Sequence, residues 1–85
     1  MGFRCADEKI NGWLSVVSCA VEAINDDLTS RDSDFCATDD IVDGRYVIRW
    51  KWRSYSNEKA FNIDDRLVDR VKGYLFDLCV MMANL

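Results

Sequence analysis

Carboxylates are the most numerous side chains in this sequence that could take part in catalysis, and several are adjacent. They form the pairs Asp26-Asp27, Asp39-Asp40 and Asp64-Asp65. Two carboxyl groups can catalyse hydrolysis or hold a pair of metal ions, but only when they converge on one point. Neighbouring residues on a helix or strand point in different directions, so these pairs cannot converge by themselves. We interpret most of the acids as surface residues.

Histidine is absent from the 85 residues, which removes most other catalytic arrangements. Ser-His and Cys-His nucleophiles cannot form without it. The four cysteines, Cys5, Cys19, Cys36 and Cys79, contain no C-x-x-C pair, so they lack the spacing of a zinc site. Neither a glycine-rich phosphate loop nor a calcium-loop spacing occurs. We therefore predict a protein that is not an enzyme and has no metal site and no cofactor.

Basic and apolar residues alternate between positions 45 and 53. The basic residues are Arg45, Arg49, Lys51 and Arg53, and the apolar ones are Tyr46, Ile48, Trp50 and Trp52. A strand sends successive side chains to opposite faces, so the pattern predicts one basic and one aromatic face. Such faces could contact phosphates or stack on bases. Alternatively, the basic face is a solubilising surface and the aromatic face is core. We favour the second interpretation, because a small chain has few other large residues to bury.

A β-hairpin over residues 35–53 would position these side chains. Asp43-Gly44 predicts its turn, because a type I′ turn needs positive φ at both central residues. The turn fixes a register in which Ile41 lies opposite Tyr46.

In the same register Phe35 lies opposite Trp52, and both belong to the apolar face. One residue does not fit: Asp39 falls on that face, opposite Ile48. A bulge, a frayed edge or a buried hydrogen bond would each account for it.

Two amphipathic helices flank the hairpin. Apolar residues recur every three or four positions over 6–28 and again over 62–84, where Asn62 is the expected N-cap. The segment 54–61 is compatible with either a third strand or a loop, and the sequence does not favour one over the other. The sequence thus predicts a single α+β domain over 1–85, a small antiparallel sheet with both helices on one face, in the order α-β-β-(β)-α.

Both helices also carry small or apolar residues away from their core-facing stripes. These are Gly12, Val16, Cys19 and Ala23 on the first helix and Phe76 and Val80 on the second. A symmetric dimer is the commonest way to cover such a surface, so we predict a homodimer that uses these residues. An ordinary solvent-exposed face with scattered apolar residues is the alternative for the first helix.

Charge and hydropathy bear on function. The net charge is −4, yet residues 45–53 carry four positive charges, so the rest of the chain carries −8. We therefore predict a small acidic module that binds or inhibits another protein, with a nucleic-acid-mimicking inhibitor as one form of it. Its expected partner-binding acids are Asp26, Asp27, Asp32 and Asp34. Nucleic-acid binding by the basic strand face is the alternative.

Without an export signal or an apolar span of membrane length, we predict a cytoplasmic protein with no membrane partner.

Overall fold

A computed structural model describes residues 8–84 of the chain. Its elements are α1 (Glu8–Arg31), β1 (Phe35–Val42), β2 (Arg45–Trp52), β3 (Tyr55–Asn62) and α2 (Leu67–Ala83). The strands form one antiparallel sheet in the order β1-β2-β3. The predicted α+β fold is confirmed, and the open choice at 54–61 resolves into a third strand.

The β1–β2 hairpin has the predicted register. Ile41 pairs with Tyr46 and Phe35 pairs with Trp52. The turn residues Asp43 and Gly44 have φ angles of 53° and 74°. Positive φ at both positions is what a type I′ turn requires, and it matches the twist of the two strands.

A second two-residue turn joins β2 to β3. Arg53 adopts a φ of 58° there, so it occupies the left-handed region that side chains other than Gly, Asn and Asp seldom enter. β3 then pairs with β2 from Tyr55 opposite Trp52 to Asn62 opposite Arg45. Because β2 lies between the other two strands, its apolar face forms the middle of the sheet.

The first helix is longer than predicted at its C-terminal end. It continues to Arg31 instead of ending near residue 28. Arg31 lies 3.4 Å from the carboxylate of Asp27, and Ser30 donates a 2.7 Å hydrogen bond to the Asp27 carbonyl. Both contacts stabilise the last turn. The predicted start at residue 6 lies outside the described residues.

The second helix begins at Leu67, so the prediction of a start at Asn62 is wrong. Asn62 is still paired with Arg45 at the end of β3, which holds it in an extended conformation. The N-cap is Arg66, which makes no side-chain cap, and Asp64 orders the turn before it by accepting a 2.9 Å hydrogen bond from the backbone N–H of Arg66. Asp64 also accepts one from the N–H of Leu67 through its carbonyl, at 3.1 Å.

Both helices pack on the face of the sheet that carries the aromatic residues, which we call the inner face. Two clusters of buried side chains fill the space between the layers. The first contains Leu14, Val17, Val21, Tyr46, Ile48, Phe61, Leu67, Val71 and Leu75. The second contains Leu28, Phe35, Ala37, Trp50, Trp52 and Leu78. The early residues of both helices meet in the first cluster and later residues of both in the second, so α1 and α2 run in the same direction. Within residues 8–84, neither helix has the length and apolarity needed to cross a membrane.

Candidate interaction surfaces

The outer face of the sheet, which points away from the helices, carries three of the four basic residues. Arg49 lies in its middle, between Asp40 on β1 and Glu58 on β3. Its Nε donates to Glu58 Oε1 at 2.8 Å, and its Nη1 lies 3.8 Å from Asp40 Oδ2. The hydrogen bond to Glu58 is the main reason that the pKa of Arg49 is raised. Since two acids flank the central arginine, Arg45 and Lys51 are the remaining exposed basic residues of this strand face.

Arg53 does not belong to that face, so its place in the predicted basic stripe is wrong. The strand ends at Trp52, and the positive φ of Arg53 turns the chain. The guanidinium carbon lies 4.6 Å from the centre of a Trp52 ring, and Nη2 lies 3.4 Å from Asp32. Arg53 therefore packs on its neighbour instead of extending the row of charges.

The aromatic face is core, as we favoured. Tyr46 has no exposed surface, and Trp50 and Trp52 are 7% and 5% exposed. The indole N–H of Trp50 donates to the Tyr74 hydroxyl at 3.0 Å, and that of Trp52 to Asp32 at 2.8 Å. Because the rings are covered and their polar atoms paired, they are not available to stack on bases.

Asp39 occupies its unexpected position because of a hydrogen bond. It lies opposite Ile48 in the predicted register and accepts a 2.7 Å bond from the hydroxyl of the buried Tyr46. Burial, and next to it this bond, raise the pKa of Tyr46 above its usual range. Of the three explanations offered for Asp39, the hydrogen bond is correct.

The four predicted partner-binding acids divide into two kinds. Asp26, Asp27 and Asp34 are exposed, although Asp27 forms the ion pair with Arg31. Asp32 is half-buried and accepts from the Trp52 indole and, at 3.0 Å, from the backbone of Asp34. The Trp52 bond is the largest cause of the lowered pKa of Asp32. This acid thus fixes the α1–β1 connection and differs from the other three.

The predicted dimer residues all lie exposed on the two helices. We call the set the helix surface: Gly12, Val16, Cys19 and Ala23 of α1 with Phe76 and Val80 of α2. Phe76 is 67% exposed, more than any other large apolar residue in the described part of the chain. Val16 and Val80 are 46% and 42% exposed. Since α1 and α2 lie side by side on the sheet, their outward sides form one layer.

The cysteines in the described range are free thiols. Cys19 and Cys36 are exposed, and Cys79 is partly buried, which raises the pKa of its thiol. Across residues 8–84, no three Cys, Asp or Glu side chains cluster as metal ligands would. Cys5 lies outside this range.

The two edges of the sheet differ. Pairing alternates along an antiparallel ladder, so every second residue of an edge strand points its N–H and C=O away from the sheet. On β1 these groups meet α1: Asn25 accepts from the Ala37 N–H at 2.8 Å, and Thr29 donates to the Phe35 carbonyl at 3.0 Å. The N–H of Ile41 is bonded to the Asp40 side chain at 2.8 Å. The part of the β1 edge that lies against α1, at Phe35 and Ala37, is therefore closed.

The β3 edge is open by comparison. Its outward-pointing backbone groups belong to Ser56, Glu58, Ala60 and Asn62, the residues opposite the non-bonded positions of β2. Of their N–H groups, that of Glu58 is bonded to the side chain of Asn57 at 2.8 Å. The three others face solvent, and every β3 residue except Phe61 is exposed.

A groove runs between β3 and α2, along this open edge. Three adjoining depressions form it, and they share Tyr74 and Asp77 at one junction and Trp50 and Met81 at the next. We call the whole the β3–α2 groove. One end is polar, lined by Arg45, Lys59, Asn62, Asp69, Arg70 and Asp77. The other end is apolar, lined by Trp50, Trp52, Tyr55 and Met81.

Sequence reasoning missed this groove because it depends on where β3 ends and α2 begins. The inner-face side chains of β3 are Tyr55, Asn57, Lys59 and Phe61, and only Phe61 is covered by the helices. The sequence did contain one signal for the groove. If 55–62 is a strand, Tyr55 and Lys59 share a face with the apolar Phe61, which indicates that this face is only partly covered.

Comparison with protein-family models, with curated proteins and with solved structures finds no match to this chain. The case for function therefore rests on the surfaces described above.

Proposed function

We propose that this protein is a small, non-catalytic interaction module. It forms a homodimer through the helix surface and binds or blocks another protein through nearby acidic side chains. One observation carries the proposal: Phe76, a large apolar side chain, is 67% exposed beside Val80 on α2. Exposed apolar groups of this size in neighbouring positions are typical of protein-binding surfaces, and burial of a phenylalanine contributes about 1.5–3 kcal/mol.

The acidic component rests on Asp26, Asp27 and Asp34. These three are exposed near the C-terminal end of α1, and the net charge of −4 favours basic partners. Asp32 is left out of the binding set because it already bonds Trp52 and Arg53. A basic cleft that normally holds nucleic acid is one kind of target for such a surface.

Charge reversal at Asp26→Lys/Asp27→Lys tests the acidic surface. Partners captured from a lysate by the wild-type protein should be lost by this variant, because its contact charges change sign. The matched control is Glu8→Lys/Asp65→Lys, which makes the same change in net charge. Glu8 lies on the same helix about 27 Å from Asp26, and Asp65 lies before α2. If both variants retain the same partners as wild type, the acidic surface is not the binding site.

Nucleic-acid binding by the outer face has less support. Arg49 already interacts with Glu58 and Asp40, and Arg53 lies elsewhere. The face carries Arg45, Arg49 and Lys51 against those two acids, which leaves a net charge of about one. Such a face would bind a random oligonucleotide only weakly even at low salt.

A further inference from the structure

We propose that the β3–α2 groove binds an extended peptide that adds a fourth strand to the sheet, antiparallel to β3. The peptide carries a carboxylate side chain and, four residues later, an apolar one. This inference goes beyond the proposed function, because it concerns a different surface and does not require the helix surface or the acidic residues of α1.

The backbone of β3 supplies the first part of the site. The outward N–H and C=O groups of Ser56, Ala60 and Asn62 are directed away from β2 and can form ladder hydrogen bonds with an added strand. The polar end of the groove is lined by four consecutive residues, 59–62, whose side chains alternate between the two faces. A depression lined this way follows the strand edge itself. Addition of a strand to an exposed edge is a common mode of peptide binding.

The inner side of the groove supplies selectivity. Alternate side chains of an added strand point to the inner face, where α2 forms the far wall through Arg70, Tyr74 and Met81. At one end Met81 and Tyr55 offer an apolar contact. Tyr55 and Lys59 lie on the same face, four residues or about 13 Å apart. A peptide side chain opposite each of them is therefore also separated by four residues.

The charged side chains at the polar end of the groove determine which peptide side chain can bind there. Lys59 and Arg70 lie there on the helix-facing side with the anions Asp69 and Asp77, and Arg45 lines the same depression from the outer face. The ion pairs Arg31–Asp27, Arg49–Asp40, Arg49–Glu58 and Arg53–Asp32 include none of these five side chains. Lys59 is the charged β3 residue on the inner face, so a carboxylate on the peptide residue opposite it can form an ion pair across the added ladder. In an antiparallel strand the residue opposite Lys59 precedes the one opposite Tyr55, which sets the order of the two side chains.

A second copy of this chain is a poorer occupant. If β3 paired with β3 of another copy in one continuous sheet, the inner-face residues offered would be Tyr55, Asn57, Lys59 and Phe61. This set contains no carboxylate, and its one charged residue is a lysine, which cannot form an ion pair with Lys59. Lysine on an edge strand also opposes edge-to-edge pairing.

The test is fluorescence anisotropy with a labelled, threonine-rich extended peptide that has one glutamate and, four residues later, one tryptophan. We expect binding with a Kd below about 1 mM, and binding about tenfold weaker when lysine replaces the glutamate. Lys59→Glu should reverse that preference, because the charge opposite the peptide residue is reversed.

Ala60→Pro tests the role of the backbone. Its N–H points away from β2, so proline there removes an outward donor and leaves the β2–β3 ladder intact. We expect at least about tenfold weaker binding than for the control Ala60→Thr, which keeps the N–H. N-methylation of alternate peptide residues blocks the same hydrogen bonds without any change to the protein, and should weaken binding equally.

Three results would overturn the proposal: equal binding of the glutamate and lysine peptides, no effect of backbone methylation, or a wild-type dimer that Ala60→Pro converts to monomer. The last would identify a second copy as the occupant. Retained peptide binding in a variant that has lost the helix-surface dimer would separate this site from the proposed function.

Discussion

Tyr46 brings a hydroxyl group into the core, where it needs a hydrogen-bond partner. The tyrosine side chain is fully buried near the start of β2, and Asp39 on the neighbouring edge strand is its hydrogen-bond partner. Without a partner, a buried hydroxyl would cost about 1–3 kcal/mol. The carboxylate reaches the core from an edge strand, so it stays partly in contact with water.

This arrangement predicts a specific alkaline sensitivity. As the pH rises past about 10, tyrosine in the unfolded chain loses its proton while the raised pKa of Tyr46 keeps the folded form protonated. The unfolded state then binds fewer protons, so the free energy of unfolding falls, by up to about 1.4 kcal/mol per pH unit. Urea unfolding followed by tryptophan fluorescence should reveal this decline.

Tyr46→Phe should remove that part of the decline and cost about 0.5–1.5 kcal/mol near neutral pH, where the hydrogen bond is lost. Tyr55→Phe is the matched control, because Tyr55 is 61% exposed and its loss should leave the alkaline decline unchanged. Equal pH profiles for wild type and Tyr46→Phe would contradict the assignment.

For single residues, the sequence predicts the face of a strand on which a side chain lies better than it predicts the hydrogen-bond partner of that side chain. It places Asp39 on the apolar face, because strand alternation and the turn settle the register. Asp39 bonds Tyr46, which lies diagonally across the β1–β2 ladder from it. Strand alternation alone does not show whether an acid on the apolar face makes such a bond or marks a bulge. Asp32 looks like a surface acid in the sequence, since its contact with Trp52 depends on how the α1–β1 connection folds back on the end of β2.

For the helices and strands, some turn and cap residues in the sequence predict the boundaries well and others do not. Asp43-Gly44 predicts its hairpin because glycine and aspartate tolerate positive φ, and the observed angles agree. The next turn uses Arg53, which has no such preference, so the third strand could not be separated from a loop. Asn62 resembles an N-cap, but its pairing with Arg45 keeps it in the sheet and moves the helix start to Leu67.

Glycine substitutions test the elements directly. Gly12 and Gly73 lie inside helices, and a Cβ added at either position meets no atom within 4 Å. Alanine at each should therefore raise the free energy of unfolding by up to about 1 kcal/mol. Gly44→Ala should lower it by about 1–2 kcal/mol, because a φ of 74° is strained for a residue with a Cβ. Urea midpoints measure all three, and a stabilising Gly44→Ala would contradict the turn geometry.

At the scale of the whole molecule, the helix surface predicts self-association. Sedimentation equilibrium at micromolar concentration should give twice the mass of one chain, and Phe76→Ser should shift the protein to monomer because it removes the largest exposed apolar group. Tyr55→Ser is the control, since that aromatic ring is similarly exposed but lies at the end of β3. A monomeric wild type, or equal dissociation by both variants, would contradict the dimer.

The unequal edges of the sheet also limit how the protein can aggregate. In a fibril of stacked strands, each strand pairs with one copy above it and one below it. A sheet that extends in this way therefore needs two edges with unpaired backbone groups. Here Asn25 and Thr29 of α1 occupy backbone groups of β1, so β3 is the more open of the two edges. Strand pairing between sheets that began at β3 would therefore have no equally open second edge on which to continue. The contacts of Asn25 and Thr29 with β1 thus restrict sheet extension at that edge, while the β3 edge stays open.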